Sequence, residues 1–132
     1  MIFVDSSFWI AVSLHRDDRH APARELATMH SAKRLVTTNH VVGETWTFLR
    51  RRDSHRMAVL FLDRIGRSPR VEAVHVSPEQ EREAFRWLRR HDERRYSFAD
   101  ATSFVVMKAL RMGDALAFDA DFSAAGFVEL RP

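Results

Sequence analysis

The chain has 132 residues, of which 45% are hydrophobic and 30% are charged, and this predicts one compact domain over residues 1–132 rather than a disordered tail. It has no cysteine, so we expect neither disulfides nor thiolate zinc sites. The first residues, Met1–Val4, lead directly into Asp5 without the charged and apolar regions of a signal peptide, and no uncharged run is longer than the ten residues Ser6–His15. We therefore expect a cytoplasmic protein without membrane spans. The net charge is +3, and every basic residue except Lys33 and Lys108 is arginine, a bias that fits either a nucleic acid partner or arginine-rich codon usage.

Short apolar runs alternate with helical patterns through the first half of the chain. The runs Met1–Val4 and Arg34–Thr37 predict buried strands. Helices are predicted after each strand, with Thr38 and Asn39 as capping residues and Gly66 as a stop signal. The predicted helices are Phe8–Leu14, Asp18–His30, His40–Arg52 and Asp53–Gly66.

The second half continues this alternation. Val71–Val76 and Ala115–Phe118 predict the third and fourth strands, and Phe127–Leu130 is a candidate fifth. The segment Ser77-Pro78-Glu79-Gln80 has the capping serine, proline and glutamine of a helix start. The buried stripe of that helix is predicted to be Ala84, Phe85 and Leu88. A further helix is predicted from Ser97 to Arg111, ended by Gly113.

Strands that alternate with helices of this length predict an α/β fold. We expect a three-layer α/β/α sandwich around a central sheet of four to five mainly parallel strands. In such sheets, ligands bind beyond the carboxyl ends of the strands. Polar residues that follow a strand are therefore the first candidates for a functional site.

Five acidic residues occupy positions that set them apart from the solvated charges. Asp5 ends the first strand, and Asp119 and Asp121 follow the fourth. The other two, Glu44 and Asp100, lie beside apolar stripes of predicted helices. Because a buried carboxylate without a partner is costly, each position requires an explanation.

Each of these acids also has a purely structural explanation. Asp5 is a possible helix cap, Asp100 fits a capping box with Ser97, Glu44 has arginines within reach, and Asp119 and Asp121 suit a turn. These separate explanations do not account for the joint pattern, in which all the acids face one edge of the sheet. Carboxylates in one cleft repel each other unless a cation is present. An all-oxygen set suits Mg²⁺ or Mn²⁺, so the pattern predicts metal-assisted phosphodiester hydrolysis.

Four ordered motifs resemble those of PIN-domain nucleases, and in particular the VapC-type toxins of bacterial toxin–antitoxin modules. The resemblance spans essentially the whole chain. The motifs are Val4-Asp5-Ser6-Ser7, Thr37–Thr45 around Glu44, Tyr96–Ser103 around Asp100, and Ala117-Phe118-Asp119-Ala120-Asp121-Phe122. One departure is Ala117, because many members of the family have threonine two residues before the fourth acid.

The resemblance implies a Mg²⁺-dependent endoribonuclease, with Mn²⁺ able to substitute, that hydrolyses RNA phosphodiester bonds. The implied catalytic acids are Asp5, Glu44, Asp100 and Asp119, and the implied metal ligands are Asp5, Asp100, Asp119 and Asp121, the last as an outer or auxiliary acid. Ser7 and Ser97 match hydroxyls that orient the acids or a phosphate. The family also implies a homodimer and a cognate antitoxin that covers the cleft. Its members cut transfer RNA or the sarcin–ricin loop of ribosomal RNA, and the sequence does not choose between them.

Other interpretations stay open at this point. A non-catalytic RNA-binding domain or a DNA nuclease of the same fold has the same sequence pattern. An aspartyl-phosphate phosphatase also begins with an acid after the first strand, but it needs a second aspartate where this chain has Ser7. Arg50–Arg52 and Arg89–Arg95 either follow an RNA backbone or form solvated faces, and Tyr96 either stacks on a base or packs internally.

Overall fold

The computed structural model describes every residue, Met1–Pro132. The strands are β1 (Ile2–Val4), β2 (Leu35–Thr38), β3 (Val71–Val74), β4 (Asp114–Leu116) and β5 (Val128–Glu129). The helices are α1 (Ser6–Ser13), α2 (His20–Met29), α3 (Asn39–Arg52), α4 (His55–Arg67), α5 (Pro78–Arg90), α6 (Phe98–Ala109) and α7 (Asp121–Ala124). All predicted elements are present, β3 and β4 end two residues early, and α7 was not predicted. None of the helices has the length and apolar character needed to cross a membrane.

All five strands are parallel and pair in the order β3-β2-β1-β4-β5. The chain moves outward from β1 to β3 and then returns to the other side of β1 for β4 and β5. With the right-handed crossovers of parallel units, α1–α4 cover one face of the sheet and α5–α7 cover the other. The predicted α/β class is confirmed, with five strands and no antiparallel pair. The reversal beside β1 makes the carboxyl ends of β1 and β4 the switch point where ligands bind in such sheets.

The core is built around β1 and α6. Phe3 of β1 is fully buried, and all residues of α6 from Asp100 to Met107 are buried. The ring of Phe104 lies 5.0 Å from that of Phe122 in α7 and 5.5 Å from that of Phe127. Since Phe122 also contacts Phe3 at 5.9 Å, this aromatic cluster fixes α6 and α7 against the central strand.

Helix starts follow the capping residues of the sequence. Ser77 and Gln80 form the predicted capping box of α5, and Thr38 caps α3. α1 begins at Ser6, two residues earlier than predicted, because the side chain of Asp5 accepts the backbone N–H of Ser7. One carboxylate thus starts the helix and also ends the strand before it.

The two glycines predicted as helix stops do not end their helices. α4 continues past Gly66. α6 ends at Ala109 rather than Arg111, and the left-handed residue after it is Arg111 itself, with φ 56°, not Gly113. Burial explains the end of α6, because Met107 is its last buried residue and the following turn is exposed.

The buried stripe of α5 was predicted wrongly at one position. Ala84 is fully buried and Leu88 packs beside it, but Phe85 is 51% exposed. Trp87 takes the core-facing position instead. Phe85 lies at the edge of the helix, where its ring stacks on Phe98 with a centroid distance of 4.6 Å.

Candidate active site

Asp5 is the most deeply buried acid, with only 1% of its surface exposed. Its backbone N–H donates to the carbonyl of Leu116 in β4 at 3.0 Å. Its Oδ2 accepts from the backbone N–H of Ser7 at 3.1 Å and from the Ser7 hydroxyl at 2.7 Å. The same hydroxyl accepts from the backbone N–H of Phe118 at 3.0 Å. Ser7 therefore joins the acid at the end of β1 to the loop that follows β4.

Asp100 lies in the first turn of α6 and is 6% exposed. Its backbone N–H donates to the Ser97 hydroxyl at 2.9 Å, and its Oδ2 accepts from the backbone N–H of Ser97 at 2.9 Å. This is the complete capping box that the sequence allowed. The box uses only Oδ2, so Oδ1 of Asp100 has no hydrogen-bond partner within the protein and is available to a ligand.

The loop after β4 carries the next two acids. Ala120 between them adopts the left-handed conformation with φ 68°, and the backbone N–H of Asp121 donates to Oδ1 of Asp119 at 3.2 Å. One carboxylate oxygen from each of Asp100, Asp119 and Asp121 lies within 4.8 Å of the other two. Acids from two distant segments thus converge at one edge of the sheet.

Burial and mutual repulsion shift the titration of these acids. Burial, followed by the charge of Asp119 and then that of Asp100, raises the pKa of Asp5 to about 8, although the hydrogen bonds from Ser7 oppose the shift. Burial, together with the charges of Asp119 and Asp121, raises the pKa of Asp100 to about 6. Burial also raises the pKa of Asp119. The cluster therefore favours a bound proton or cation at neutral pH.

Glu44 lies outside this cluster, on an exposed face of α3. Its Oε2 accepts from the hydroxyl of Ser6 at 2.7 Å, which places it next to the segment that carries Asp5. Glu44 is in no salt bridge, so the pairing with arginine that the sequence allowed does not occur. Glu44 therefore lies at the outer margin of the carboxyl edge of the sheet, the edge that also carries Asp5.

The donor set fits a hard divalent cation. All the converging atoms are carboxylate oxygens, without nitrogen or sulfur donors, which is the preference of Mg²⁺ and Mn²⁺. Ligand oxygens on opposite sides of a Mg²⁺ ion are about 4 Å apart. The carboxylate oxygens of Asp100, Asp119 and Asp121 lie within 4.8 Å of one another, which is close to that spacing. Asp121 differs from the others because its Oδ1 accepts from Nε of Arg94 at 2.9 Å.

Glu129, which was not predicted as a functional residue, holds the loop between β4 and α7 in place. The side chain of Glu129 in β5 is 4% exposed. Its two oxygens accept the backbone N–H groups of Ala120 at 3.3 Å and Ser123 at 2.9 Å. Glu129 therefore holds the loop that presents Asp119 and Asp121. The available signal was an acid within the apolar run Phe127–Leu130.

Tyr96 packs internally, in line with one of the two roles considered for it. Its ring lies edge-on to Trp87 at 4.8 Å and to Phe104 at 5.8 Å. Of the other tryptophans, Trp9 is buried and Trp46 packs against the core. Trp87 and Phe104 therefore hold Tyr96, two residues before the start of α6, against the core.

Comparison with known proteins gives consistent matches over the full chain. The family model of the PIN domain matches residues 2–128. Two relatives are each 53% identical to this chain over 132 residues, which is 100% of this chain and 99% of the relative. Both are named 23S rRNA-specific endonuclease VapC20, and they come from the CDC 1551/Oshkosh and ATCC 25618/H37Rv strains of Mycobacterium tuberculosis. The crystal structure of M. tuberculosis VapC20, described as a sarcin–ricin loop cleaving toxin, has a TM-score of 0.93 and 50% identity and covers 100% of both chains.

Proposed function

Because this chain belongs to the PIN-domain family, among its VapC-type toxins, we propose that it is a metal-dependent endoribonuclease toxin that cleaves the sarcin–ricin loop of 23S ribosomal RNA. The family predicted from the sequence motifs is confirmed by the matches over the full chain. The observation that carries the proposal is the convergence of one carboxylate oxygen each from Asp100, Asp119 and Asp121 within 4.8 Å at the carboxyl edge of the sheet. Buried Asp5 lies beside this cluster, since the charges of Asp119 and Asp100 add to burial in raising its pKa.

In this proposal, Asp5, Asp100 and Asp119 hold a Mg²⁺ ion, and Mn²⁺ substitutes for it. When bound, the ion would supply Lewis-acid activation of water and would neutralise charge on the phosphate. Ser7 orients Asp5 through a 2.7 Å hydrogen bond, and Ser97 orients Asp100 through the capping box. Both hydroxyls make internal bonds, which favours orientation of the acids over contact with the phosphate.

Glu44 has a different role from the buried acids. It is exposed and held only by the hydroxyl of Ser6, so its carboxylate is free to orient the attacking water and to accept its proton. Asp121 serves as an auxiliary acid at the outer side of the cluster. This division assigns catalytic roles to Asp5, Glu44, Asp100 and Asp119.

The proposed substrate and partners come from the relatives. The relatives are named for cleavage of 23S rRNA and of its sarcin–ricin loop, and 53% identity over the whole chain supports the same substrate here. VapC-type toxins act on RNA and pair with antitoxins. We propose that this chain forms a homodimer, is neutralised by a cognate antitoxin that covers the cleft, and acts in the cytoplasm.

The test is cleavage of purified ribosomes and of transfer RNA, with the new RNA ends mapped by primer extension. We expect one cut in the sarcin–ricin loop with Mg²⁺, and none with EDTA or with the Asp5→Asn variant. The matched control is Asp92→Asn, which changes an exposed acid outside the cluster and should cleave at the wild-type rate. Cleavage by Asp5→Asn at the wild-type rate would overturn the mechanism. Cleavage of transfer RNA alone would overturn the substrate, and cleavage of DNA alone would favour a DNA nuclease.

A further inference from the structure

Arg94 is the only basic residue in a salt bridge with any of the five candidate acids. It lies in the loop between α5 and α6. Its Nε donates to Oδ1 of Asp121 at 2.9 Å, and its Nη2 donates to the backbone carbonyl of Asp119 at 3.3 Å. The Arg94 side chain is 38% exposed, whereas that of Asp121 is 18% exposed. The pair is therefore anchored on the protein side and open to solvent on the other.

Asp121 occupies the outer side of the cluster. Asp121 is half-buried, whereas Asp5 and Asp100 are buried. One oxygen of Asp121 lies within 4.8 Å of an oxygen of Asp100 and of Asp119. One of its oxygens is already bonded to a guanidinium. This position suits an anchor for Arg94 better than a ligand shared with Asp5.

The guanidinium keeps donors for a second partner. An arginine has five N–H donors in a planar fork, and two of its nitrogens are used by Asp121 and by the carbonyl of Asp119. Nη1 of Arg94 has no partner within the protein. Guanidinium groups bind phosphate oxygens through parallel hydrogen bonds. A fixed, half-exposed fork beside carboxylates therefore has the chemistry of a phosphate site.

We propose that Arg94 binds a phosphate of the RNA at the acidic cluster, and that Asp121 anchors Arg94 instead of coordinating the metal ion. This inference rests on the function proposed above. A phosphate that approaches the acidic cluster is repelled by several carboxylates, and a positive charge held at the edge of the cluster offsets that repulsion. Anchoring fixes the orientation of the arginine before the RNA arrives, which lowers the ordering cost of binding.

A purely structural role makes different predictions. Arg94 also connects the loop between α5 and α6 to the loop after β4 through its hydrogen bonds. If this connection were its only role, Arg94 would contribute to thermal stability alone. Binding of RNA, its dependence on salt and the response to Mg²⁺ separate the two roles, because a structural tie changes none of them in the correctly folded protein.

The first measurement is binding of a fluorescein-labelled RNA hairpin with the sarcin–ricin loop sequence, in EDTA, followed by fluorescence anisotropy at several KCl concentrations. We expect Arg94→Gln to weaken binding about fivefold or more and to reduce the slope of log Kd against log salt by about 0.7, the value for one phosphate contact. Arg94→Lys should keep the wild-type slope and recover part of the affinity. The matched control is Arg34→Gln, an exposed arginine at the opposite edge of the sheet, where β2 begins, which should bind within about twofold of wild type.

The second measurement is the rise in Tm that Mg²⁺ causes in two alanine variants. We expect Asp121→Ala to keep most of the wild-type rise but to bind the hairpin as weakly as Arg94→Gln, because the anchor is lost. Asp119→Ala should lose the rise.

The inference fails if Arg94→Gln binds the hairpin like wild type, whether or not its Tm falls, or if Asp121→Ala loses the Mg²⁺ response. These outcomes differ from failure of the proposed function, in which the wild-type protein neither cleaves the RNA nor responds to Mg²⁺. If the wild-type protein cleaves with Mg²⁺ and the Arg94→Gln variant has an unchanged KM, the inference about Arg94 is wrong and the proposed function stands.

Discussion

Asp5 uses one carboxylate for two tasks at the residue scale. Its Oδ2 caps α1, and the whole side chain is buried between the ends of β1 and β4. The hydrogen bond to the backbone N–H of Ser7 is the cap that starts α1. Burial, followed by the charges of Asp119 and Asp100, raises the pKa of Asp5. The cap considered from the sequence is confirmed, and the role of Asp5 in metal binding stays a prediction.

The pKa of Asp5, about 8, predicts that metal binding releases protons. At pH 7 this acid is protonated in the metal-free protein, and a divalent ion binds the carboxylate form and displaces the proton. We expect the Mg²⁺ affinity to rise by up to about tenfold per pH unit between pH 6 and 8, with release of about one proton at pH 7. Calorimetric titrations at pH 7 in PIPES and in imidazole, which differ in ionisation enthalpy, measure this number. Equal heats in the two buffers would contradict the prediction.

Asp100→Asn is expected to stabilise the metal-free protein. The folded-state pKa of Asp100, about 6, lies above its ordinary value of 3.8, so its stabilising contribution is complete below pH 3.8 and is lost as the pH rises through 6. Asparagine carries no charge and can still accept from the backbone N–H of Ser97. The variant should therefore exceed wild type by about 1–2 kcal/mol, or roughly 4–8 °C in Tm, at pH 7.5.

Thermal unfolding in EDTA from pH 4 to pH 8 measures this difference, which should shrink towards pH 4. Asp92→Asn, outside the cluster, serves as the control and should follow wild type at each pH. An Asp100→Asn protein that melts below wild type at pH 7.5 would show that the charge is not repelled by its neighbours.

At the scale of elements, β5 and α7 act as a support for the acidic loop. The carboxylate of Glu129 accepts two backbone N–H groups from this loop. We expect Glu129→Ala to cost about 1–3 kcal/mol, since both donors lose their acceptor, and to weaken Mg²⁺ binding because Asp119 is less well fixed. Chemical denaturation and calorimetry measure the two effects.

Glu72→Ala is the matched control, because Glu72 is an exposed acid on the edge strand β3. Glu129→Gln should give an intermediate effect, since glutamine keeps one acceptor oxygen. Wild-type stability and metal affinity in Glu129→Ala would show that the loop is held by other contacts.

The elements that could be predicted are those with local signals. The strands followed from apolar runs, and the start of α5 followed from Ser77 and Gln80. Helix ends and partial burial depended on distant contacts. α6 ends where its core contacts end and not at Gly113, and Phe85 is exposed because Trp87 fills the core-facing position. α7 is too short for a periodic signal, and packing of Phe122 against Phe104 stabilises it.

The acids of the site could also be placed from the sequence, because a strand end or an apolar helix face is a local feature. Asp5, Asp100 and Asp119 lie at the predicted edge for this reason. The contacts of Glu129 and Arg94 could not be predicted, since they depend on which loops meet at the end of β4. Local patterns therefore located the acids, and only the folded chain located the residues that support them.

At the scale of the whole molecule, a basic groove leads away from the acidic edge. This groove of about 460 Å³ follows one face of α3, with Glu44 at one end and Arg51 and Arg52 at the other. Together with the net charge of +3, it is the surface along which we expect an RNA backbone to bind. The arginine bias noted in the sequence is consistent with this path.

RNA binding should therefore depend strongly on salt. With three to five phosphate contacts, we expect the affinity for the sarcin–ricin hairpin to fall about 10- to 50-fold between 100 and 300 mM KCl. Arg51→Gln should weaken binding and flatten this dependence. Arg34→Gln, an exposed arginine at the opposite edge of the sheet, where β2 begins, should leave it unchanged. Equal effects of the two substitutions would show that the groove has no specific role.

The proposed function depends above all on Asp5, Asp100 and Asp119 binding one divalent ion. Anomalous diffraction from crystals grown with Mn²⁺ tests it most directly, because Mn²⁺ takes the same oxygen ligands and scatters anomalously. We predict a strong peak at the carboxyl edge of the sheet, at direct coordination distance from one oxygen of each of these three acids. A peak bound only to exposed acids elsewhere on the surface, or no peak at millimolar Mn²⁺, would contradict metal binding by these three acids.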